Sequence, residues 1–298
     1  MAIDIQGLND TLLKTSKNYD EAVRKWVDLA LAPAKDVPIK YYDQNGNLVQ
    51  TAIPNRAKLF QNLLVNVNSA MNRTYYVDAV NGSDNNDGSS TAPFKTIKKA
   101  VDSVPVGGWG EIRLTAGQIH RIDADIYTAN KTILFLTKGF DSANFANNAW
   151  IENVGYTNPN NASHGFIQRG GKMYFYYVNI RTANYVDSTK PLSIWEGLFK
   201  RWDLTSVNAY FFASIIELGD TDLIRTASGA HGLVDLYFYN CNIKQVGANR
   251  AGLVLLNEAG NYSVAQTASV ITLQNGTAGT LNNLIGGQIL ATNKLVNF

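Results

Sequence analysis

The chain has 298 residues, of which 45% are apolar and 17% are charged, and its formal net charge is +2. This length predicts two or three structural parts, and the apolar share excludes a largely disordered chain. Because Lys and Arg form no concentrated run, neither a nucleic-acid-binding surface nor a polybasic membrane patch is expected. Cys241 is the only cysteine, which excludes an internal disulfide and favours a buried, apolar role.

The sequence predicts neither a secretory signal nor a membrane span. Its first residues lack the basic and apolar regions of a signal peptide. No stretch approaches the roughly 18 continuous apolar residues that a spanning helix needs. His120, His164 and His231 have no Cys or His neighbour at zinc-ligand spacing. No metal and no cofactor is therefore predicted.

Residues 8–31 carry a helical pattern that Pro33 ends. Apolar residues recur there in alternating steps of four and three, as in the seam of a coiled coil. The predicted seam residues of this first helix are Leu12, Tyr19, Val23 and Trp26.

A hairpin and a second helix are predicted next. Residues 39–49 read as two short strands around Asn45-Gly46, the strongest short-range hairpin signal. A helix follows Pro54, with seam residues Phe60, Leu64, Val67 and Met71. Both helices are too short to be stable alone. They would be stabilised either by association of several copies or by folding back onto their own chain.

Residues 75–105 form the most informative segment. A short strand leads into a loop of Asn, Asp, Gly and Ser, residues that tolerate positive φ. Pro93 then precedes a short helix whose apolar residues lie at i, i+3, i+4 and i+7, namely Ile97, Ala100, Val101 and Val104. Such a helix can cover the first open rung of a stack of strands.

This segment, with Tyr76-Val, Asn81-Gly-Ser-Asp, Asp87-Gly and Pro93-Phe-Lys-Thr-Ile, resembles the start of pectate-lyase-like β-helix proteins, which include many phage tailspikes and tail fibres. The resemblance implies a mainly β chain with a right-handed parallel β-helix, a solenoid. It also implies a homotrimer. It covers only this segment and is specific for architecture rather than for chemistry.

An internal repeat supports this architecture. Residues 174–180 resemble residues 237–243 at an offset of 63, which we interpret as three coils of 21 residues. A weaker copy begins at Tyr210, at an offset of 36, so the coils must differ in loop length. We predict a helical and hairpin region over residues 1–74 and the β-helix over residues 75–298, with a cap at 75–105 and coils at 106–298.

A polysaccharide-cleaving enzyme would need two carboxyl groups facing one groove. The densest acidic group is Glu217, Asp220 and Asp222, and Asp235 could add a partner from an adjacent coil. A polar turn with solvated carboxylates explains the same residues. No catalytic set is therefore assigned, and these four residues are candidates only if the chain is an enzyme.

Aromatic residues are the stronger functional hint, because they lie beside Asn, Asp and Lys in a mixture that stacks on sugars and bonds their hydroxyls. The candidates for glycan contact are Trp150, Trp195, Trp202 and Tyr185. For each of them, packing inside the coils or between subunits is the alternative.

The resemblance and these residues favour a structural adhesin of a phage virion, located on the tail and acting at the host surface. Residues 1–74 would dock on another virion tail protein, and the β-helix would bind a host-surface glycan. The alternative is a tailspike depolymerase, a glycosidase or polysaccharide lyase on the same scaffold. The absence of an obvious acidic pair favours binding over cleavage.

Overall fold

The computed structural model describes most of the chain. The described residues are 10, 14–15, 17–18, 20–21, 37–53, 56–191, 197–201, 206–226, 233–247, 252, 254–256, 262–286 and 294–297. The chain is mainly β, with 45% strand and several parallel sheets, which confirms the expected fold class at that level. It divides into two compact units, Met1–Ala70 and Met71–Phe298.

The first unit contains an antiparallel hairpin of β1 (Val37–Tyr42) and β2 (Leu48–Ile53). Its loop forms because Asp43 Oδ1 accepts hydrogen bonds from the backbone N–H groups of Asn45 and Asn47, at 2.9 and 2.8 Å. Gly46 follows at φ +80°, a conformation that glycine adopts without strain. The predicted hairpin over residues 39–49 is thus present, with a slightly longer loop.

The two predicted seams are only partly described. Residues 10, 14, 15, 17, 18, 20 and 21 are helical, but the first seam, Leu12, Tyr19, Val23 and Trp26, lies outside the described residues. The second helix is α1 (Arg56–Met71). The side chain of its first seam residue, Phe60, also lies outside the described part of the chain.

On α1, Leu64 and Val67 each expose 50% of their surface, while Met71 is half-buried. Leu63 and Val65 are exposed as well. Apolar residues therefore occupy more of this helix surface than the narrow seam that the sequence pattern predicts.

Three parallel sheets build the second unit. Sheet 1 has eight strands: β3 (Asn72–Val77), β4 (Trp109–Thr115), β7 (Thr132–Lys138), β12 (Lys172–Tyr176), β15 (Val207–Phe212), β18 (Val234–Tyr239), β21 (Tyr262–Thr267) and β24 (Lys294–Asn297). Sheet 2 has six: β5 (Ile119–Ile122), β8 (Ala149–Asn153), β13 (Val178–Arg181), β16 (Ile215–Leu218), β19 (Asn242–Gln245) and β22 (Val270–Thr272). Sheet 3 also has six: β6 (Ile126–Tyr127), β11 (Phe166–Ile167), β14 (Gly197–Arg201), β17 (Asp222–Thr226), β20 (Val254–Leu256) and β23 (Ile285–Gly286).

From β4 onward the chain visits sheet 1, sheet 2 and sheet 3 in turn, and we call one such passage a coil. The corner between sheet 1 and sheet 2 uses a single left-handed residue in four successive coils, at φ between 51° and 53°. These residues are Tyr177, Ala213, Asn240 and Ala268. One antiparallel hairpin, β9 (Gly155–Thr157) and β10 (Asn161–Ser163), leaves this scheme between sheets 2 and 3.

The internal repeat is real, but its predicted period is wrong. Tyr174 is the register partner of Tyr210, 36 residues on, and Tyr210 is the partner of Tyr237, 27 residues further. The offset of 63 is therefore two unequal coils, and not three coils of 21. The strands keep their register while the connections absorb the difference in length.

The core lies between the three sheets. In sheet 1 an inward column of Phe135, Phe175, Phe211 and Phe238 stacks with ring centroids 4.8 to 5.2 Å apart. Sheet 2 contributes a column of isoleucines, which are Ile151, Ile180, Ile216, Ile243 and Ile271. Burial of each such side chain contributes about 2 kcal/mol.

A buried asparagine joins neighbouring coils. Asn179 Oδ1 accepts a hydrogen bond from the backbone N–H of Ile215 at 2.9 Å, and its Nδ2 donates to the carbonyl of Phe145 at 2.6 Å. Asn179 therefore bonds both the preceding and the following coil.

The short helix predicted after Pro93 is α2 (Ile97–Ser103). Thr96 is its N-cap, and the buried Ile97, Ala100 and Val101 pack onto the core. Lys131 Nζ donates to the carbonyl of Val101 at 2.7 Å, which satisfies a group at the C-terminal end of the helix.

Within the part of the chain that the structure describes, no helix is both long enough and apolar enough to cross a bilayer.

Candidate functional site

A cleft of about 640 Å³ lies on the outer face of sheet 2. This volume falls within the range of small-ligand sites, about 300 to 1,000 Å³. Its polar lining comes from β5, β8, β13, β16 and the segment after β13. The residues that supply this lining are Arg121, Glu152, Asn153, Arg181, Thr182, Asn184 and Glu217.

Four of these side chains form a column of alternating charge, which we call the charge ladder: Arg121, Glu152, Arg181 and Glu217. Each is the register partner of the next across parallel strands. Parallel partners share a face of the sheet and lie about 4.8 Å apart, so opposite charges become direct neighbours. Lys244 follows Glu217 in the same register but does not line the cleft.

Arg181 connects the two carboxylates of the ladder. Its Nε lies 2.8 Å from Glu217 Oε2, and its Nη1 lies 3.4 Å from Glu152 Oε2. Partial burial opposes the charged form of Arg181, but the hydrogen bond to Glu217 and the charges of both carboxylates raise its pKa above the ordinary value. Arg181 is therefore a permanent cation between two acids.

Arg121 ends the ladder at the solvent. Its Nε lies 3.5 Å from Glu152 Oε1, and 66% of its side-chain surface is exposed. The ladder therefore has a tightly paired centre, with the exposed Arg121 at one end and Lys244 beyond Glu217 at the other.

Trp150 stands beside the ladder on the same face. The guanidinium carbon of Arg181 lies 4.7 Å from the centre of the indole ring, in cation–π contact. The indole Nε1 donates to the carbonyl of Ala146 at 3.4 Å, which fixes the ring plane. Of the two predicted glycan-contact residues that the structure describes, Trp150 and Tyr185, Trp150 is the one in contact with the ladder.

A second predicted residue, Tyr185, lies in the segment that follows Asn184 of the cleft lining. Its backbone N–H donates to Asp220 Oδ2 at 2.8 Å. Burial and the nearby Asp220 raise the pKa of its hydroxyl, which therefore stays neutral. Trp195 and Trp202 lie outside the described residues.

Asn161 of β10 holds the segment that follows Asn184. Its Oδ1 accepts from the backbone N–H of Asp187 at 3.0 Å. Its Nδ2 donates to the carbonyls of Asp187 and Lys190, at 2.6 and 2.9 Å. A single buried amide thus ties the hairpin to the segment that carries Tyr185.

The acidic group predicted from the sequence does not form one site. Glu217 faces the cleft, but Asp220 and Asp222 are buried, so the interpretation of both as solvated turn carboxylates is wrong. Asp222 Oδ1 accepts from the backbone N–H of Gly252 at 2.7 Å, and burial raises the pKa of its carboxyl group. Both aspartates hold backbone N–H groups of neighbouring segments in place.

Asp235 is not a partner of Glu217, because it lies on β18 in sheet 1. Its Oδ2 accepts a hydrogen bond from the hydroxyl of Tyr210 at 2.7 Å. Across the described ranges, no group of three His, Cys, Asp or Glu side chains is arranged to hold a metal ion.

Sequence reasoning missed Arg121, Glu152 and Arg181. A signal was present in the tripeptides Trp-Ile-Glu at 150–152, Asn-Ile-Arg at 179–181 and Ile-Ile-Glu at 215–217. Each places an inward isoleucine before an outward charge. Their spacing is irregular, so a fixed period could not align them.

Searches against family models, curated proteins and solved structures find no match to this chain.

Proposed function

We propose that this chain is a glycan-binding structural protein of the tail fibre or tailspike kind, which attaches a phage virion to the host surface without cleaving the glycan. The observation that carries the proposal is the charge ladder in an open cleft, with Trp150, which does not itself line the cleft, in contact with Arg181 of the ladder. Carboxylates and guanidinium groups bond sugar hydroxyls, and an indole adds an apolar surface for sugar C–H groups.

The proposed scaffold is a right-handed parallel β-helix. Two features support it: the chain visits three parallel sheets in turn, and α2 packs on the first strands of the stack. The resemblance of residues 75–105 to the cap region of phage tailspikes connects this scaffold to a virion at the host surface.

Binding is favoured over cleavage by the position of Arg181. Glu152 and Glu217 are separated by two strand intervals, about 9.6 Å between backbones. Arg181 lies between these two carboxylates and bonds both, whereas the two carboxyl groups of a glycosidase flank the scissile bond of the substrate. The depolymerase remains the second candidate, because Glu152 and Glu217 do face one cleft.

The test uses the full chain and an array of bacterial capsule and lipopolysaccharide fragments. We expect the wild type to bind a subset, Arg181→Gln to lose that binding, and Arg113→Gln to keep it. Arg113 is the matched control, because it pairs with Glu111 on the outer face of sheet 1, away from the cleft. Absence of binding to every fragment would contradict the proposal.

Cleavage is followed in the same samples by reducing ends and by the ultraviolet absorbance of unsaturated products. The adhesin proposal expects neither signal. Release of oligosaccharide by the wild type that disappears in Glu217→Gln would replace it with the depolymerase.

A homotrimer and docking of residues 1–74 on another virion tail protein belong to the same proposal. Exposed Leu64 and Val67 on α1 support self-association. Sedimentation equilibrium of the full chain should give three times the chain mass of 32.7 kDa. Leu64→Asp with Val67→Asp should lower it, since each would bury an unpaired charge, while a wild-type monomer would refute the trimer.

A further inference from the structure

Among the residues that the structure describes, the charged side chains that line the cleft balance one another: two guanidinium groups face two carboxylates. We infer that the cleft binds an uncharged, hydroxyl-rich glycan, and that it discriminates against anionic polysaccharides. This inference rests on the proposed function and names the ligand class of the same site.

The centre of the ladder offers an anionic ligand no cation whose charge is uncompensated. Arg181 already bonds Glu217 and Glu152, so its charge is compensated on both sides. Glu152 and Glu217 expose only 21% and 20% of their side-chain surface, so solvent screens them poorly. A carboxylate or sulfate of the ligand would lie against these two charges and be repelled.

Arg121 does not reverse this balance. It is the cation of the lining with the most exposed side chain, and it stands at the end of the ladder rather than at its centre. Charges exposed to this degree interact weakly at physiological salt, where the Debye length is about 8 Å. Arg121 can orient one end of a ligand but cannot make the cleft cationic.

A neutral sugar can form hydrogen bonds with the side chains of the ladder without changing their charge balance. A hydroxyl both donates and accepts, so it can bond a carboxylate on one rung and a guanidinium on the next. The four rungs cover three strand intervals, about 14 Å, which suits a short oligosaccharide lying across the strands. Trp150 beside Arg181 offers the apolar contact for the sugar C–H groups.

The experiment titrates the full chain with two size-matched sets of oligosaccharides, one of neutral hexoses and N-acetylhexosamines and one containing uronic or sialic acids. Each set is measured by calorimetry at low and at physiological salt. We expect binding to the neutral set with a Kd that changes by less than about twofold between the two salts. Preference for the anionic set, with affinity that falls as salt rises, would overturn the inference while leaving the proposed function standing. Binding to neither set would overturn both.

A charge-changing variant tests the ladder directly. Glu152→Gln with Glu217→Gln keeps an acceptor oxygen at each rung but leaves the lining with two uncompensated cations. We expect weaker neutral binding, by about tenfold from the loss of charge-assisted bonds, and new, salt-dependent binding of the anionic set. Unchanged binding of both sets would refute the inference.

Glu111→Gln with Asp102→Asn is the matched control. It changes the net charge of the protein by the same amount, but Glu111 and Asp102 pair with Arg113 and Lys98, outside the cleft. Neither set should be bound differently by this variant. Circular dichroism of both double variants verifies that the fold is kept.

Discussion

The outer faces of sheet 1 and sheet 2 are built by the same parallel register but display opposite chemistry. Sheet 1 presents aromatic columns: Tyr174 stacks on Tyr210 at 5.0 Å, and Tyr176 stacks on Phe212 at 4.3 Å. Sheet 2 presents the charge ladder. The parallel register therefore aligns residues of successive strands in columns, and the chemistry of each column decides what it can bind.

The aromatic residues on the outer face of sheet 1 pack mainly against one another. In each stacked pair, one face of each ring is covered by the ring of the neighbouring strand. A sugar needs a ring face for its C–H groups. These stacked pairs stabilise sheet 1 and include neither Trp150 nor Tyr185, the two described candidates for glycan contact, whereas the cleft of sheet 2 keeps hydrogen-bonding groups directed outward.

The largest expected loss of stability distinguishes the buried face of sheet 1 from its exposed face. Phe175→Ala removes a fully buried ring between Phe135 and Phe211, and should lower the free energy of unfolding by about 3 to 5 kcal/mol. Tyr176→Ala, one residue later on the exposed face, should cost less than about 1.5 kcal/mol, the value of one aromatic pair. Urea denaturation measures both. Equal losses would mean that the outer column carries as much stability as the core.

Sheet 2 should differ from sheet 1 in its response to acid, because its inward column begins with His120. Burial lowers the pKa of His120 to about 4, and its Nδ1 has no hydrogen-bond partner among the described residues. The unfolded chain binds this proton near pH 6.5, so it takes up more protons than the folded chain between about pH 6.5 and 4. Stability should fall as the pH drops through this window, by up to about 3 kcal/mol.

The measurement is the unfolding free energy in urea across that pH range. His120→Leu should remove this part of the pH dependence, because an apolar residue continues the inward column of isoleucines. His164→Gln is the control, since His164 lies 3.6 Å from Asp125 outside this column and should leave the acid loss in place. An identical pH profile for the wild type and His120→Leu would contradict the assignment.

A smaller effect should distinguish the two outer faces. Arg181→Ala leaves Glu152 and Glu217 without their shared partner and should cost about 1 to 3 kcal/mol, discounted because the pair is partly exposed. Arg181→Lys should recover part of this, since an ammonium keeps the charge but loses the planar fork. Arg113→Ala on sheet 1 should cost under about 1 kcal/mol. If Arg181→Ala and Arg113→Ala lower the free energy of unfolding equally, the ion pairs of the ladder contribute no more than an ordinary surface ion pair.

The two sheets also differ in how far the sequence predicted them. The stacked residues of sheet 1 were visible as a repeat, because Tyr174, Tyr210 and Tyr237 carry similar neighbours. Their coil assignment failed because the connections between sheets vary in length, and a fixed period of 21 cannot follow coils of 36 and 27 residues.

The charge ladder was not predicted at all. Glu152, Arg181 and Glu217 stand 29 and 36 residues apart, and nothing local marks them as neighbours. Only the strand register joins them, and that register depends on long-range pairing. The burial of Asp220 and Asp222 was missed for the same reason: the N–H groups that they accept from belong to other segments.

The smallest effect concerns the corner between the two sheets. Ser214, Cys241 and Ser269 each follow a left-handed residue, and each side chain bonds the carbonyl two residues earlier. Cys241 Sγ donates to the backbone carbonyl oxygen of Tyr239 at 3.4 Å, and a serine hydroxyl in its place would reach the same oxygen.

Cys241→Ser should therefore change the unfolding free energy by less than about 1 kcal/mol, the net value of one hydrogen bond. Cys241→Leu should destabilise by about 1 to 3 kcal/mol from overpacking a buried site. Burial raises the pKa of the Cys241 thiol to about 12, so Ellman's reagent should react with it only after the chain unfolds. Rapid reaction in native buffer would mean that this corner opens without global unfolding, and that sheets 1 and 2 are less tightly joined than their shared hydrogen bonds indicate.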